Sequence, residues 1–220
     1  MTTPITLDVV SDVVCPWCYI GKHRLEQARA LLAADATMPL ALELRWRPYE
    51  LNPDLPPDGL DRRSYCERKF GSLEYANQLY ARVAAAAAAD SLPLAWQRIA
   101  RTPNTRAAHR LIELAGRYGV QDALVDALFQ AYFVDGRDVG AREVLLELAV
   151  AAGLDPVAAA TALDDDVAIG PTVTAALADA HELGITGVPA FVYHGRVLFS
   201  GAQDPRTIAL ALTRAVARGL

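Results

Sequence analysis

Cysteine is scarce in this 220-residue sequence, with copies only at positions 15, 18 and 66. A secreted scaffold of this size would carry several separated pairs, so a disulfide-stapled fold is excluded. In a reducing compartment a close cysteine pair reads as catalytic or metal-binding. Long apolar runs are also missing. None approaches the roughly 18–20 uninterrupted residues of a membrane span, which argues against a membrane partner. Met1-Thr2-Thr3-Pro4, ahead of Ile5–Val10, lacks the basic region, long apolar stretch and small-residue cleavage site of a secretory signal. The expectation is a complete, cytoplasmic chain. Clusters of Lys and Arg are absent too, and a net charge of −5 with a pI near 5.4 argues against nucleic acid as a partner. No second Cys-x-x-Cys and no His-x3-His accompanies the cysteines, so no metal is expected. Asp164-Asp165-Asp166 lacks EF-hand spacing and reads as a loop at a helix end. No internal repeat is visible.

What remains is the composition of a globular protein with a sizeable core, 53% hydrophobic and 21% charged. Ile5–Val10 is a short β-branched apolar run and predicts a buried strand. From Pro16 the pattern turns helical. Trp17, Ile20, Leu25, Ala28, Leu31 and Leu32 share an apolar face, with Lys22, Arg24, Glu26 and Arg29 outside it. Leu42–Pro48 alternates and predicts a second strand, which completes a β-α-β unit with the cysteines at its strand-to-helix turn.

The Pro-rich stretch Asn52–Gly59 marks a boundary. Helices are then predicted over Arg62–Phe70, Leu73–Ala89, Arg106–Tyr118, Asp122–Val134, Ala141–Ala152 and Val157–Leu163. Gly119, Gly136, Gly140 and Gly153 supply stops between them. After Pro171 the order becomes helix Thr172–Leu183, strand Pro189–Tyr193, a His194-Gly195 hairpin turn, strand Arg196–Ser200 and helix Pro205–Arg218. Without the helical block this is the order of a thioredoxin fold. The chain is therefore read as α/β, a thioredoxin fold with a large inserted all-helical domain. Residues 1–60 and 172–220 form the thioredoxin-like part, and 61–171 form an insertion with its own small core.

Cys15-Pro16-Trp17-Cys18 at a helix start has a specific use. Free backbone N–H groups and the helix dipole stabilise a thiolate on the first sulfur, and the thiolate is the form that attacks a disulfide. Pro16 fits the first turn because its missing N–H has no acceptor there. Cys15 is then the exposed nucleophile, and Cys18, one turn further in, resolves the mixed disulfide. Gly187-Val188-Pro189 is the second informative segment. A cis bond before Pro189 would expose backbone N–H and C=O groups to a ligand, whereas a trans proline would merely start a strand.

Ser11–Lys22, with its Asp-Val-Val-Cys-Pro-Trp-Cys-Tyr-Ile-Gly-Lys run, resembles the opening of the DsbA-like thioredoxin superfamily in its cytoplasmic FrnE-like branch. Arg47–Pro53, Asn104–Arg110, Ala131–Phe133, Gly187–Val192 and Ser200–Gln203 match in the same order, so the resemblance covers nearly the whole chain. It implies a thioredoxin fold with a helical insertion, a cis bond before Pro189, and a thiol–disulfide oxidoreductase with Cys15 and Cys18 as catalytic residues. Pro16 and Trp17 count with the substrate-contacting positions, as do Asn104 and Thr105, which are also ordinary helix-capping residues. The superfamily includes kappa-class glutathione transferases and 2-hydroxychromene-2-carboxylate isomerases, which usually carry serine at the position of Cys15. Their glutathione contacts would map to Asn52, the Val188 backbone and Ala202-Gln203, the last pair departing from the Ser-Asp of kappa-class proteins.

The leading expectation is therefore a disulfide oxidoreductase with no tightly bound cofactor. Its partner is a thiol- or disulfide-containing protein or small molecule, glutathione is a possible cosubstrate, and a homodimer is left open. The alternatives are a glutathione-dependent isomerase or transferase in the same pocket, and a non-catalytic binding module. Asp12 could relay the proton of Cys18 or cap a turn. Lys22 and His23 read as a solvated face, His109 as a structural histidine, and Trp46 and Trp96 as packing residues. Cys66 reads as a small apolar residue.

Overall fold

The computed structural model describes residues 5–35, 38–164 and 168–219, and Asp165 and Asp166 of the acidic run lie outside them. The chain forms two compact units, Met1–Tyr49 with Thr174–Leu220, and Glu50–Val173. The first boundary precedes the Pro-rich stretch instead of following it at residue 60. The physical reason is Leu55, which is buried in one cluster with Tyr65, Cys66 and Ala76, so the stretch packs with the helices after it.

The first unit holds a four-stranded sheet in the order β2-β1-β5-β6. Its strands are β1 (Ile5–Ser11), β2 (Leu42–Pro48), β5 (Ala190–Tyr193) and β6 (Arg196–Ser200). β1 pairs parallel with β2, placing Val9 opposite Trp46, and antiparallel with β5, placing Val10 opposite Ala190. β5 is apolar at every position and buried throughout, as a strand flanked on both edges requires. Val10, Ala190 and Val192 pack with Ala180 of helix α8 (Gly170–Glu182) and with Ile185. Helix α1 (Pro16–Ala33) packs against α9 (Pro205–Ala217), which is capped by Asp204 accepting from the Arg206 amide.

Two features of α1 depart from the sequence reading. Trp17 and Leu31 are 38% and 45% exposed, whereas Lys22 is buried. The buried face runs through Cys18, Gly21, Lys22, Leu25, Ala28 and Leu32, and Trp17 and Leu31, next to its first and last members, lie at its solvent margin. Lys22 Nζ lies 3.8 Å from Glu26 Oε1 and 5.9 Å from the centre of the Trp46 ring.

The second unit contains α2 (Arg62–Phe70), α3 (Leu73–Ala89), α4 (Arg106–Tyr118), α5 (Gln121–Phe133), α6 (Arg142–Ala151) and α7 (Pro156–Asp164). Asp61 and Ser72 cap α2 and α3, and Gly119 in the left-handed conformation ends α4. α4 packs on α5 and α7, and α6 on α7. A two-residue ribbon, β3 (Leu60–Asp61) with β4 (Arg101–Thr102), is an addition that no periodicity could have shown. Beside it the Arg62 guanidinium lies 4.5 Å from the Tyr80 ring centre and 5.5 Å from those of Tyr65 and Trp96.

Among the described residues, no helix is long and apolar enough to cross a membrane.

Candidate active site

β1 ends at Ser11, and the chain turns through Asp12 into α1, with the Cys15 amide donating to the Asp12 carbonyl at 3.0 Å. Ser11 is fixed from β2, because the Tyr49 amide donates 3.0 Å to its carbonyl. Cys15 occupies the N-cap with extended backbone, and Pro16 follows in the first turn. The Cys15 carbonyl receives the Cys18 and Tyr19 amides at 3.0 and 3.2 Å, which closes that turn. No side chain caps this helix end, and its first turn holds no acidic residue. The partial positive charge of the N-terminus is therefore left to the group in front of it.

Both thiols are buried, Cys15 at 3% exposure and Cys18 at 1%. The expectation of an exposed Cys15 is corrected here. The side chain is turned inward, with its Sγ 3.5 Å from the carbonyl oxygen of Val188, to which the thiol donates. Cys15, Cys18 and Cys66 are all free thiols. Burial pushes the Cys18 thiol well above its ordinary value of 9.0. A hydrogen bond and the charge of Cys15 act in the same direction, while the Ser11 side chain and the Asp12 backbone hydrogen-bond the sulfur and oppose the rise. Two free thiols thus stand at one helix end, the inner of them held protonated.

The Val188–Pro189 peptide bond is cis. The Pro189 carbonyl accepts from the Gly201 amide at 2.7 Å. Trp17, between the cysteines, is part-exposed. Gln203 donates its side-chain amide to the Ser200 carbonyl at 2.8 Å, so in this structure it closes its own turn.

Asn52, Asn104 and Thr105 belong to the helical unit. Asn104 donates to the Leu55 carbonyl at 2.9 Å and accepts from the Arg106 amide at 2.9 Å. Thr105 holds the N-cap position of α4, but its side chain makes no capping bond, so the capping expected of both residues falls to Asn104. Asn52 accepts from the Tyr65 hydroxyl at 3.3 Å, while its buried Nδ2 has no hydrogen-bond partner. Asn52, Tyr65, Arg68 and Lys69 line a pocket of about 230 Å³. His109 is buried in α4. Among the described residues, no group of three or more His, Cys, Asp or Glu is placed to hold a metal ion.

Sequence reasoning assigns Ser11 no role of its own. The available signal was its place at the end of a buried strand, four residues before the first cysteine, but only the fold brings its side chain to Cys18.

The profile of a DSBA-like thioredoxin domain matches residues 6–213. The chain is similar to the crystal structure of a probable DsbA oxidoreductase from Streptomyces coelicolor, with 35% identity, a TM-score of 0.85, and coverage of 97% of this chain and 90% of that one. It is 25% identical over 209 residues to the uncharacterised protein YwbO of Bacillus subtilis, covering 95% of this chain and 96% of the relative. A 2-hydroxychromene-2-carboxylate isomerase shares the fold at 16% identity, with a TM-score of 0.70 and 98% of each chain covered.

Proposed function

The chain belongs to the DSBA-like thioredoxin domain family, and from that premise we propose that it is a thiol–disulfide oxidoreductase working through Cys15 and Cys18. The observation that carries this reading is the pair of free thiols, Cys15 and Cys18, at the uncapped start of α1. A fold shared with an isomerase fits either chemistry, and a paired thiol supports exchange, because exchange uses a second sulfur.

In the reductive direction the Cys15 thiolate attacks one sulfur of a substrate disulfide. A Cys15–substrate disulfide forms, and the other substrate sulfur leaves as a thiolate that takes up a proton. Cys18 then loses its proton and attacks Cys15 Sγ. The Cys15–Cys18 disulfide forms, the second substrate thiol is released, and two electrons have passed from the pair to the substrate. Oxidation of a dithiol runs through the same steps in reverse. The raised Cys18 thiol supports this order, since the inner sulfur stays protonated until a mixed disulfide replaces the Cys15 charge beside it. The Val188–Pro189 turn supplies the backbone edge on which a substrate is aligned. The paucity of cysteine supports a reducing, cytoplasmic setting.

A second reading, glutathione as cosubstrate, draws on Asn52. Its unmet Nδ2 donor and the basic neighbours Arg68 and Lys69 suit a ligand carboxylate. Two variants separate the readings. In dithiol-driven reduction of a protein disulfide, Cys18→Ala and Cys15→Ser both abolish multiple turnover. If the chemistry is glutathione-dependent instead, Cys15→Ser keeps glutathione-dependent turnover and Cys18 is dispensable. Full activity of Cys15→Ser on a small molecule overturns the first reading.

A further inference from the structure

The helix that presents the cysteines also grips the turn opposite them. Arg24, three residues beyond Gly21 on α1, donates from Nη1 to the Ala202 carbonyl at 2.6 Å. Ala202 sits in the 200–203 turn, closed by the Gln203 amide on the Ser200 carbonyl at 2.8 Å. The next residue back, Gly201, donates its amide to the Pro189 carbonyl at 2.7 Å. Gly21 completes the contact, because a β-carbon there would come 2.9 Å from Pro189 Cγ and 3.8 Å from Ala202 Cα. Each link lies within the sheet-containing unit. Together they run from α1 to the turn whose Val188 carbonyl faces Cys15 Sγ at 3.5 Å.

We propose that Arg24 is a positioning residue: through Ala202 and Gly201 it fixes the Val188–Pro189 backbone edge relative to the nucleophile, so that a disulfide-bearing peptide lies in register with Cys15. The inference rests on the oxidoreductase reading above. A guanidinium suits the task because it reaches a loop carbonyl with a charge-assisted bond and stays charged across the working pH range. Loss of that tie removes a charge-assisted bond from the 200–203 turn. Its local opening then becomes more frequent and carries the Gly201–Pro189 bond with it. Gly21 supplies the clearance that lets the proline ring approach the helix.

The test compares Arg24→Met with Arg29→Met. Arg29 lies on the same helix and ties a different backbone carbonyl, that of Leu42 at 3.4 Å, away from the turn. Amide exchange at Gly201 should quicken by about tenfold or more in Arg24→Met and by less than about twofold in Arg29→Met. With a disulfide-bonded peptide as substrate, Arg24→Met should raise KM about fivefold or more while kcat stays within about twofold, and Arg24→Lys should recover most of the loss. The rate of Cys15 alkylation by iodoacetamide, which does not use the backbone edge, should stay within about twofold. Unchanged Gly201 exchange in Arg24→Met overturns the brace, as does an equal KM shift in Arg29→Met. A wild-type protein that does not exchange with the peptide disulfide overturns the oxidoreductase reading and the substrate side of the proposal, while Gly201 exchange still decides whether Arg24 holds the turn.

Discussion

Cys15 Sγ stands 3.5 Å from the carbonyl oxygen of Val188, a residue 173 positions further along the chain. Cys18, three residues on in α1, is buried and held protonated. The two cysteines of one short motif therefore meet different surroundings, one facing a backbone edge and the other facing the core.

That asymmetry predicts the order of chemical modification. Brief treatment with iodoacetamide near pH 7 should label Cys15 at least about tenfold faster than Cys18, because only a thiolate reacts and burial disfavours the Cys18 thiolate. Peptide mapping by mass spectrometry reads the order. Preferential labelling of Cys18 would reverse the assigned roles.

The raised Cys18 thiol also has a consequence for stability. In the unfolded chain this thiol ionises near its ordinary value of 9.0, whereas the folded protein keeps it protonated to higher pH. The contribution is fully present below the unfolded value and is lost as pH rises through the folded one. Reduced wild-type protein should lose about 1.4 kcal/mol per pH unit above 9 from this group. Urea denaturation at pH 8 and pH 10 should show a steeper fall for the wild type than for Cys18→Ala, and parallel falls would refute it.

Cys66 is buried in the helical unit with its Sγ 3.7 Å from the Tyr80 hydroxyl. Cys66→Ser should leave the reduction potential of the Cys15/Cys18 pair within about 10 mV of the wild type. It should lower stability by about 1 kcal/mol, the cost of putting a hydroxyl where a thiol packs. A larger shift in glutathione redox equilibration would make Cys66 a third redox partner.

Arg62 is the centre of an aromatic cage, with Tyr80, Tyr65 and Trp96 around its guanidinium and a 3.0 Å bond to Thr102 Oγ1. Arg62→Ala should cost about 2 kcal/mol, combining cation–π attraction with lost packing of the side-chain stem. Arg62→Lys should cost less, since the charge remains but the planar stack does not. Equal losses for the two variants, measured by thermal unfolding, would show that charge and stem without the planar guanidinium contribute nothing.

Much of the fold was legible because local chemistry decides it. Leu73–Ala89 and Arg106–Tyr118 have the bounds that periodicity predicts, with Gly119 as the stop of the second, and Leu42–Pro48 alternates as an outer strand should. The motif at 15–18 and its place at a helix start were equally plain. What escaped depends on partners distant in sequence. Lys22 is buried because its stripe on α1 is, and a charged residue gives no warning of that. Cys15 reads as exposed until Val188 is brought beside it. Gln203 looks like a ligand contact, but its amide is used by its own turn. The Leu60–Asp61 and Arg101–Thr102 ribbon is too short to leave a period at all.

The sheet order has a consequence for how the protein is made. β1 finds β2 within the first 48 residues, but its other edge waits for β5, which begins at residue 190. At ribosomal speeds of about 5–20 residues per second, Val188 emerges on the order of ten to thirty seconds after Cys15. Throughout that interval the nascent chain carries both thiols and an open strand edge, with the whole helical unit being synthesised between them. Joining residues 8–10 to 190–192 is also the costliest loop closure in the sheet, which delays it relative to the local β-α-β unit. The reactive motif is thus made 173 residues ahead of the carbonyl it faces. A nascent chain halted before residue 188 contains both cysteines and has nothing for Cys15 to face.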